Sequence, residues 1–284
     1  MLNEATIKGE LNAIRNVELM KFQDILELPS ANLFEAITDN AFYTPHQLLT
    51  IGGRPDVGKT QMAMHIAKTQ LLNDKYVAYF GLEEEAGEIY TSIEQFIPVE
   101  RAEKLLVQDY TYTELNELTG RIRAIYERYN IDFFVIDQLS LIDVDDTPDL
   151  RAKFDRTQRV LQVLTKELPI TILQITQMNR ALENDDEMPE NKIAESDRIF
   201  QNSKWFGIFF KLEDVDEQTV KMGLRIRKSK KRNGSYANYV FKFDYEASTM
   251  FDLKELSDDE YINEARGKAS NRVSGGNSFA DWVR

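Results

Sequence analysis

The chain has 284 residues, 42% of them hydrophobic and 29% charged, enough for one large domain or two small ones around a real core. It has no cysteine, which excludes disulfides and thiolate metal sites, and only two histidines, His46 and His65, too few for a histidine metal cluster. A net charge of −13 excludes a protein that coats nucleic acid over its whole surface, because such binding rests on neutralising phosphates, and leaves only a local basic patch.

No apolar run approaches the ~20 residues of a membrane span, and "MLNEATIKGELNAI" lacks a signal-peptide pattern, so the expectation is cytoplasmic residence without a membrane partner. Ile7, Leu11, Ile14 and Val17 form one apolar stripe before Pro29 breaks it, which predicts a helical arm over residues 1–30. That stripe needs a partner, either its own domain or a neighbouring subunit, and the intersubunit role is the expectation for the arm. The main domain is expected over 31–256.

From Gln47 the texture alternates. "QLLTI" (47–51) reads as a buried strand, followed by a glycine loop and a helix from Lys59 to Leu72; "YVAYF" (76–80) is a second strand. Leu115, Leu118, Ile122, Ile125 and Tyr129 mark an amphipathic helix before the strand "DFFVID" (132–137). Leu150, Phe154, Leu161, Leu164 and Leu168 mark another, before "ITILQI" (170–175). Short apolar strands between helices predict an α/β fold with a mostly parallel sheet covered on both faces. After "WFGIFF" (205–210), "KMGLRIRK" and "NYVFKFDY" have period-2 character around the turn signal Asn233-Gly234, which predicts antiparallel C-terminal strands. Residues 257–284 turn polar, a flexible tail whose final "NSFADWVR" carries Phe279 and Trp282, a candidate docking segment for a replication partner.

The loop "GGRPDVGKTQ" fits G-x-x-x-x-G-K-[ST] from Gly53 to Thr60, between an apolar strand and a helix. Glycines at these positions let backbone N–H groups wrap phosphates, and the helix presents its positive end to the anion. The candidate nucleotide-binding set is therefore Gly53, Arg54, Pro55, Asp56, Val57, Gly58, Lys59, Thr60 and Gln61, with Lys59 on the β- and γ-phosphates of ATP and Thr60 on Mg²⁺. Such a site needs a carboxylate at a neighbouring strand end to complete the metal's surroundings, and Asp137, closing "DFFVID", is the candidate. Hydrolysis also needs a carboxylate to polarise water, and Glu83, Glu84 and Glu85 directly follow the second strand, at the end where open α/β sheets bind ligands. Gln177, just after "ITILQI", is a candidate contact to the γ-phosphate.

In order and spacing, "GGRPDVGKT", "GLEEE", "FFVIDQLSLI", "TQMNRALE" and "KSKKRNG" resemble the helicase domain of DnaB-family replicative helicases, from about Ala31 to Leu253. The resemblance implies a RecA-like P-loop NTPase core that hydrolyses ATP with Mg²⁺ and forms homo-oligomeric rings, hexamers in that family, moving on single-stranded DNA. It gives Glu83 the water-activating role, Asp137 the metal and Gln177 the γ-phosphate sensor. Lys230 and Arg232 match a basic pair that the family inserts into the adjoining subunit's ATP site. The short arm, where bacterial members carry an N-terminal domain, implies a minimal phage- or plasmid-type helicase; if phage encoded, it would work in the bacterial host's cytoplasm. The stretch matching the family's DNA-binding loop, "AESDRIFQNSK" (194–204), has Ala194 for an arginine and Asp197 for a glycine, which leaves Arg198 and Lys204 as the DNA-binding candidates. The acidic "DVDDTPD" (143–149) and "ENDDEMPE" (183–190) fall where the resemblance expects channel loops. Two other functions fit the same fold: a recombinase or recombination mediator, which forms filaments, and a regulatory ATPase ring that does not unwind DNA.

Overall fold

The structure, a computed structural model, describes residues 45–95, 97–109, 113–144, 149–177, 197–229, 237–245, 249–257 and 259–260. The expected N-terminal arm, Ala194, the acidic stretch 183–190, Lys230, Arg232, the Asn233-Gly234 turn and the docking segment with Phe279 and Trp282 lie outside the described residues.

Strand and helix alternate as the apolar pattern predicts. β1 (Gln47–Gly53) passes through the glycine loop into α1 (Lys59–Leu72), and β2 (Val77–Gly81) follows. α2 (Ala86–Glu94) and α3 (Val99–Ala102) precede β3 (Leu105–Asp109). The two-residue β4 (Thr113–Glu114) opens onto α4 (Leu115–Tyr129) and β5 (Phe133–Asp137). A second two-residue strand, β6 (Ile142–Asp143), pairs with β4 ahead of α5 (Leu150–Glu167) and β7 (Thr171–Gln177). α6 (Asp197–Asn202) leads into β8 (Trp205–Asp214), β9 (Thr219–Ser229), β10 (Ala237–Asp244) and β11 (Thr249–Leu256).

The main sheet has the order β11-β10-β9-β8-β1-β7-β5-β2-β3. From β3 to β8 every pairing is parallel, and β9, β10 and β11 extend the β8 side antiparallel. The central strands are buried at nearly every position because both faces are covered. Alternate side chains divide between two cores: Leu49, Ile51, Tyr79, Val135 and Leu173 pack on α1, whereas Phe80, Phe134, Ile136 and Ile172 meet Leu118, Ile122, Leu161 and Leu164 of α4 and α5. A fully buried polar chain crosses this second core. Gln158 of α5 donates to Gln174 of β7 at 2.9 Å, Gln174 donates to Thr50 of β1 at 2.7 Å, and the Thr50 and Ser203 hydroxyls meet at 2.5 Å. Each of these groups finds a partner, as burial requires.

α1 is buried on nearly every side, including Lys68 at 2% exposure. Burial pulls the Lys68 ammonium down to about 7. The folded chain thus holds this proton less tightly than the unfolded one, and the group's contribution to stability rises with pH between about 7 and about 10.4. Lys68→Met is expected to raise the thermal midpoint most at pH 7 and below, with the gain over wild type shrinking toward pH 10. Melting curves of both chains across that range check it; a pH-independent difference would remove the charge explanation.

Among the described residues no helix is long and apolar enough to cross a membrane.

Candidate functional site

The glycine loop takes its shape from two positions. Gly58 sits at φ +79°, a left-handed conformation that side chains rarely adopt, and caps α1. At Gly53 an added Cβ would lie 2.9 Å from Val57 and 3.0 Å from the carbonyl of Phe209, so the loop closes onto the strand only without a side chain. The start of α1 has neither a side-chain cap nor an acidic residue in its first turn, which leaves the positive helix end to an anion. Lys59 reaches back to donate to the Arg54 carbonyl at 2.7 Å. Burial lowers the Lys59 ammonium, while the charges of Asp137, Glu83 and Asp56 raise it, so one cation faces three carboxylates.

Parallel pairing brings the other candidates to the same sheet edge. β7 lies beside β1 with Gly53 opposite Gln177, and β2 lies beside β5 with Gly81 opposite Asp137. Asp137 is 4% exposed. Burial pushes its carboxyl up, and hydrogen bonds from Thr60 and Tyr79 with the charge of Lys59 pull it back toward the ionised form. The Tyr79 hydroxyl donates to Asp137 Oδ2 at 2.9 Å. Glu83 is exposed just beyond β2 and accepts from Gln138 Nε2 at 3.1 Å. Glu84 is half-buried; burial first, then Asp137, Glu88 and Glu83, push it toward its neutral form.

The residues suit a nucleoside triphosphate with Mg²⁺. The glycine cradle has no room for a Cβ at Gly53, the helix end lacks a side-chain cap, and the Lys59 ammonium stands among carboxylates at the mouth of the loop. One hydroxyl, Thr60, with one carboxylate, Asp137, matches the sparse protein ligation that magnesium takes when phosphates and water fill the remaining positions.

Lys204 stands apart from this cluster. Its backbone N–H donates to the Leu48 carbonyl at 2.7 Å, at the beginning of β1, whereas the glycine loop follows the end of that strand. Arg198 lies on α6, which leads to the same edge. The structure therefore gathers Lys59, Thr60, Glu83, Asp137 and Gln177, and sets the DNA-binding candidate Lys204 at the opposite edge.

Three site neighbours escape sequence reading. Tyr79 reads as one more apolar strand position, and Gln138 as the residue after the carboxylate. Tyr245, just past β10, puts its hydroxyl 3.2 Å from where a Gly58 Cβ would be. Its backbone N–H donates to the Gln218 carbonyl and its ring meets Phe243 edge-on. The continuous apolar runs around Tyr79 and before Gln138 give no signal that sets either apart, and nothing in the sequence ties Tyr245 to a loop so far upstream.

Comparison with known proteins agrees with this fold. The family model of the DnaB-like helicase C-terminal domain matches residues 89–252, more than half of the chain, beginning after the glycine loop. The "Replicative DNA helicase DnaB" of Pasteurella multocida is 27% identical over 252 residues, 76% of this chain and 54% of the relative. The "Probable plasmid replicative DNA helicase" of Chlamydia trachomatis is 24% identical over 237 residues, 72% of this chain and 51% of the relative. The chain thus spans about half the length of these curated relatives. Among solved structures, one of an isolated ATPase domain superposes with a TM-score of 0.64 at 18% identity, over 88% of this chain and 96% of that one. A DnaB-like replicative helicase, solved in a study of its interactions with primase, gives 0.61 at 18% identity over 75% of this chain and 58% of that one. At such identity the likeness concerns the fold, which is the RecA-like ATPase arrangement of a mostly parallel sheet with antiparallel C-terminal strands. With the family model covering most of the sheet and the phosphate loop at its expected edge, the chain belongs to the DnaB-like helicase C-terminal domain family.

Proposed function

We propose that this chain is an ATP-hydrolysing subunit of a replicative DNA helicase, assembling into a ring, hexameric on the family's pattern, that moves along single-stranded DNA. The observation that carries the reading is the gathering of Lys59, Thr60, Asp137 and Glu83 at one sheet edge, with a metal-side carboxylate and a separate exposed carboxylate. Lys59 binds and orients the β- and γ-phosphates, and backbone N–H groups from Gly53 to Gln61 hold the polyphosphate. Thr60 and Asp137 would hold magnesium, which when bound neutralises phosphate charge. Glu83 takes the proton from the attacking water, and Gln177, whose backbone lies opposite Gly53, contacts the terminal phosphate. Lys230 and Arg232 act on the adjoining subunit's site. The DNA contacts are assigned to Arg198 and Lys204. The ATPase unit is read as 31–256, with 1–30 as an intersubunit arm and 257–284 as a tail for a replication partner, in a cytoplasmic protein of phage or plasmid type.

Ala194 and Asp197, with the acid of 143–149 and 183–190, favour one competing reading: a regulatory ATPase ring without unwinding. One set of experiments separates the possibilities. Negative-stain images with a non-hydrolysable ATP analogue and single-stranded DNA should show closed rings, and a forked duplex should be unwound in MgATP. Filaments would support the recombinase reading; rings that hydrolyse ATP and leave the fork intact would support the regulatory one.

A further inference from the structure

β2 and β5 are neighbours, and each ends beside a carboxylate of the site. The hydrogen bonds that hold those carboxylates cross between the two strands. Tyr79, on β2, donates to Asp137 at the end of β5 at 2.9 Å. Gln138, the residue after β5, donates to Glu83, two residues past β2, at 3.1 Å. Between them the Leu82 backbone N–H donates to the Asp137 carbonyl at 2.7 Å and joins the two strand ends. We propose that Tyr79 and Gln138 are positioning residues of this ATPase, each strand fixing the other's carboxylate before nucleotide arrives.

The inference rests on reading Asp137 as the metal-side carboxylate and Glu83 as the water-activating one. Tyr79 is fully buried on the α1 face of the sheet, where a phenylalanine would bury its ring equally well. The hydroxyl adds a polar atom in an apolar layer, and a buried hydroxyl needs a partner; the one it meets is Asp137. With Oδ2 taken by Tyr79 and Thr60 also bonded to it, the carboxylate has a fixed orientation rather than a choice of rotamers. Gln138 has the reverse geometry. It is 7% exposed and anchored, whereas Glu83 is exposed and otherwise free to sample many conformers. A single donor from a rigid position limits where the Glu83 carboxylate stands, and a general base works only when it is placed. The two bonds serve different roles, so breaking them should give different defects.

The test uses the full chain, calorimetric titration with ADP in the presence and absence of Mg²⁺, and steady-state ATP hydrolysis. Tyr79→Phe is expected to lower the Mg²⁺-dependent gain in ADP affinity by about tenfold or more, in the range found when residues supporting metal ligands are removed, with metal-free ADP affinity unchanged. Gln138→Met, which keeps the volume and removes the donor, is expected to lower kcat by about tenfold with both ADP affinities unchanged. An equal loss of metal-free ADP affinity in either variant points to general disruption and overturns the proposal, as does an unchanged Mg²⁺ gain in Tyr79→Phe or an unchanged kcat in Gln138→Met. Should Tyr79→Phe melt early, a cycle with Asp137→Asn decides: in that background Tyr79→Phe should alter the Mg²⁺ gain no further, and an additive loss overturns the link. Asp137→Asn and Glu83→Gln made alone keep the two levels apart. If they leave the Mg²⁺ gain and kcat intact, the reading of the carboxylates fails; if they show their losses while Tyr79→Phe and Gln138→Met do not, only the positioning fails.

Discussion

Glu83→Gln is expected to lower ATP turnover by about 10²–10⁴-fold, the usual worth of a placed general base, while MgATP binding stays within about twofold. The substitution keeps the side chain's shape and leaves an amide oxygen to accept from Gln138, so the loop after β2 should not move. What disappears is the group that takes a proton from water. Glu84 is the rival, one residue on. Burial first, then Asp137, Glu88 and Glu83, raise its carboxyl above the ordinary value, and the Gln138 donor goes to Glu83. Glu83 instead stands exposed and hydrogen-bonded, facing the cluster through Lys59. Glu84→Gln should therefore retain most of the turnover. Equilibrium binding of a fluorescent ATP analogue alongside phosphate release measures both quantities, and retained turnover in Glu83→Gln with loss in Glu84→Gln would move the assignment by one residue.

The choice between those glutamates shows where sequence stops being enough. The glycine loop was legible because its chemistry demands residue types at fixed spacing, and the strand-loop-helix context was visible in "QLLTI" and in the run from Lys59. Asp137 and Gln177 were legible because they close apolar strands, and parallel strands in a covered sheet deliver their ends to one edge. Three adjacent glutamates carry no such ordering; only burial and the donor from Gln138 distinguish them. α2, α3 and β3 gave little signal for related reasons. The helices are short, and β3 is a five-residue edge strand whose sequence, LLVQD, does not alternate, so neither a 3.6 nor a 2 period accumulates. β11, the other edge, has the same difficulty. Tyr79 was invisible for the opposite reason: inside "YVAYF" it looks like packing, and its hydroxyl acquires a role only when β5 lies alongside. The basic run before Asn233 is legible as charge, but the sequence does not say whose phosphate it meets.

Arg232→Ala is expected to lower ATP hydrolysis by about 10³–10⁵-fold, the range for an arginine finger, while each subunit still binds ATP. A solvated strand or a generic DNA patch would behave differently: six of the eight residues from Arg225 to Arg232 are basic, and such charges would be nearly interchangeable, each affecting DNA affinity and its salt slope. A finger is specific to one guanidinium, and Arg232→Lys should rescue it poorly. β9 ends at Ser229 opposite Trp205, which pairs with Leu49 near the start of β1, whereas the subunit's own phosphate loop begins after Gly53, opposite Phe209. Four residues of strand separate those levels, about 13 Å at the usual rise. Ser229, the last described residue before Arg232, thus lies at the edge away from the subunit's own loop, which is compatible with the proposed action on an adjoining subunit. Mixing Arg232→Ala with Lys59→Ala protein should restore partial ATPase, because some interfaces then pair an intact loop with an intact arginine. If mixed rings form and never complement, either Arg232 works within its own subunit or hydrolysis requires every site in the ring. Doping wild type with increasing Arg232→Ala protein tells these apart: one altered subunit silencing a whole ring points to ring-wide coupling, and a linear loss of activity points to an arginine that acts in cis.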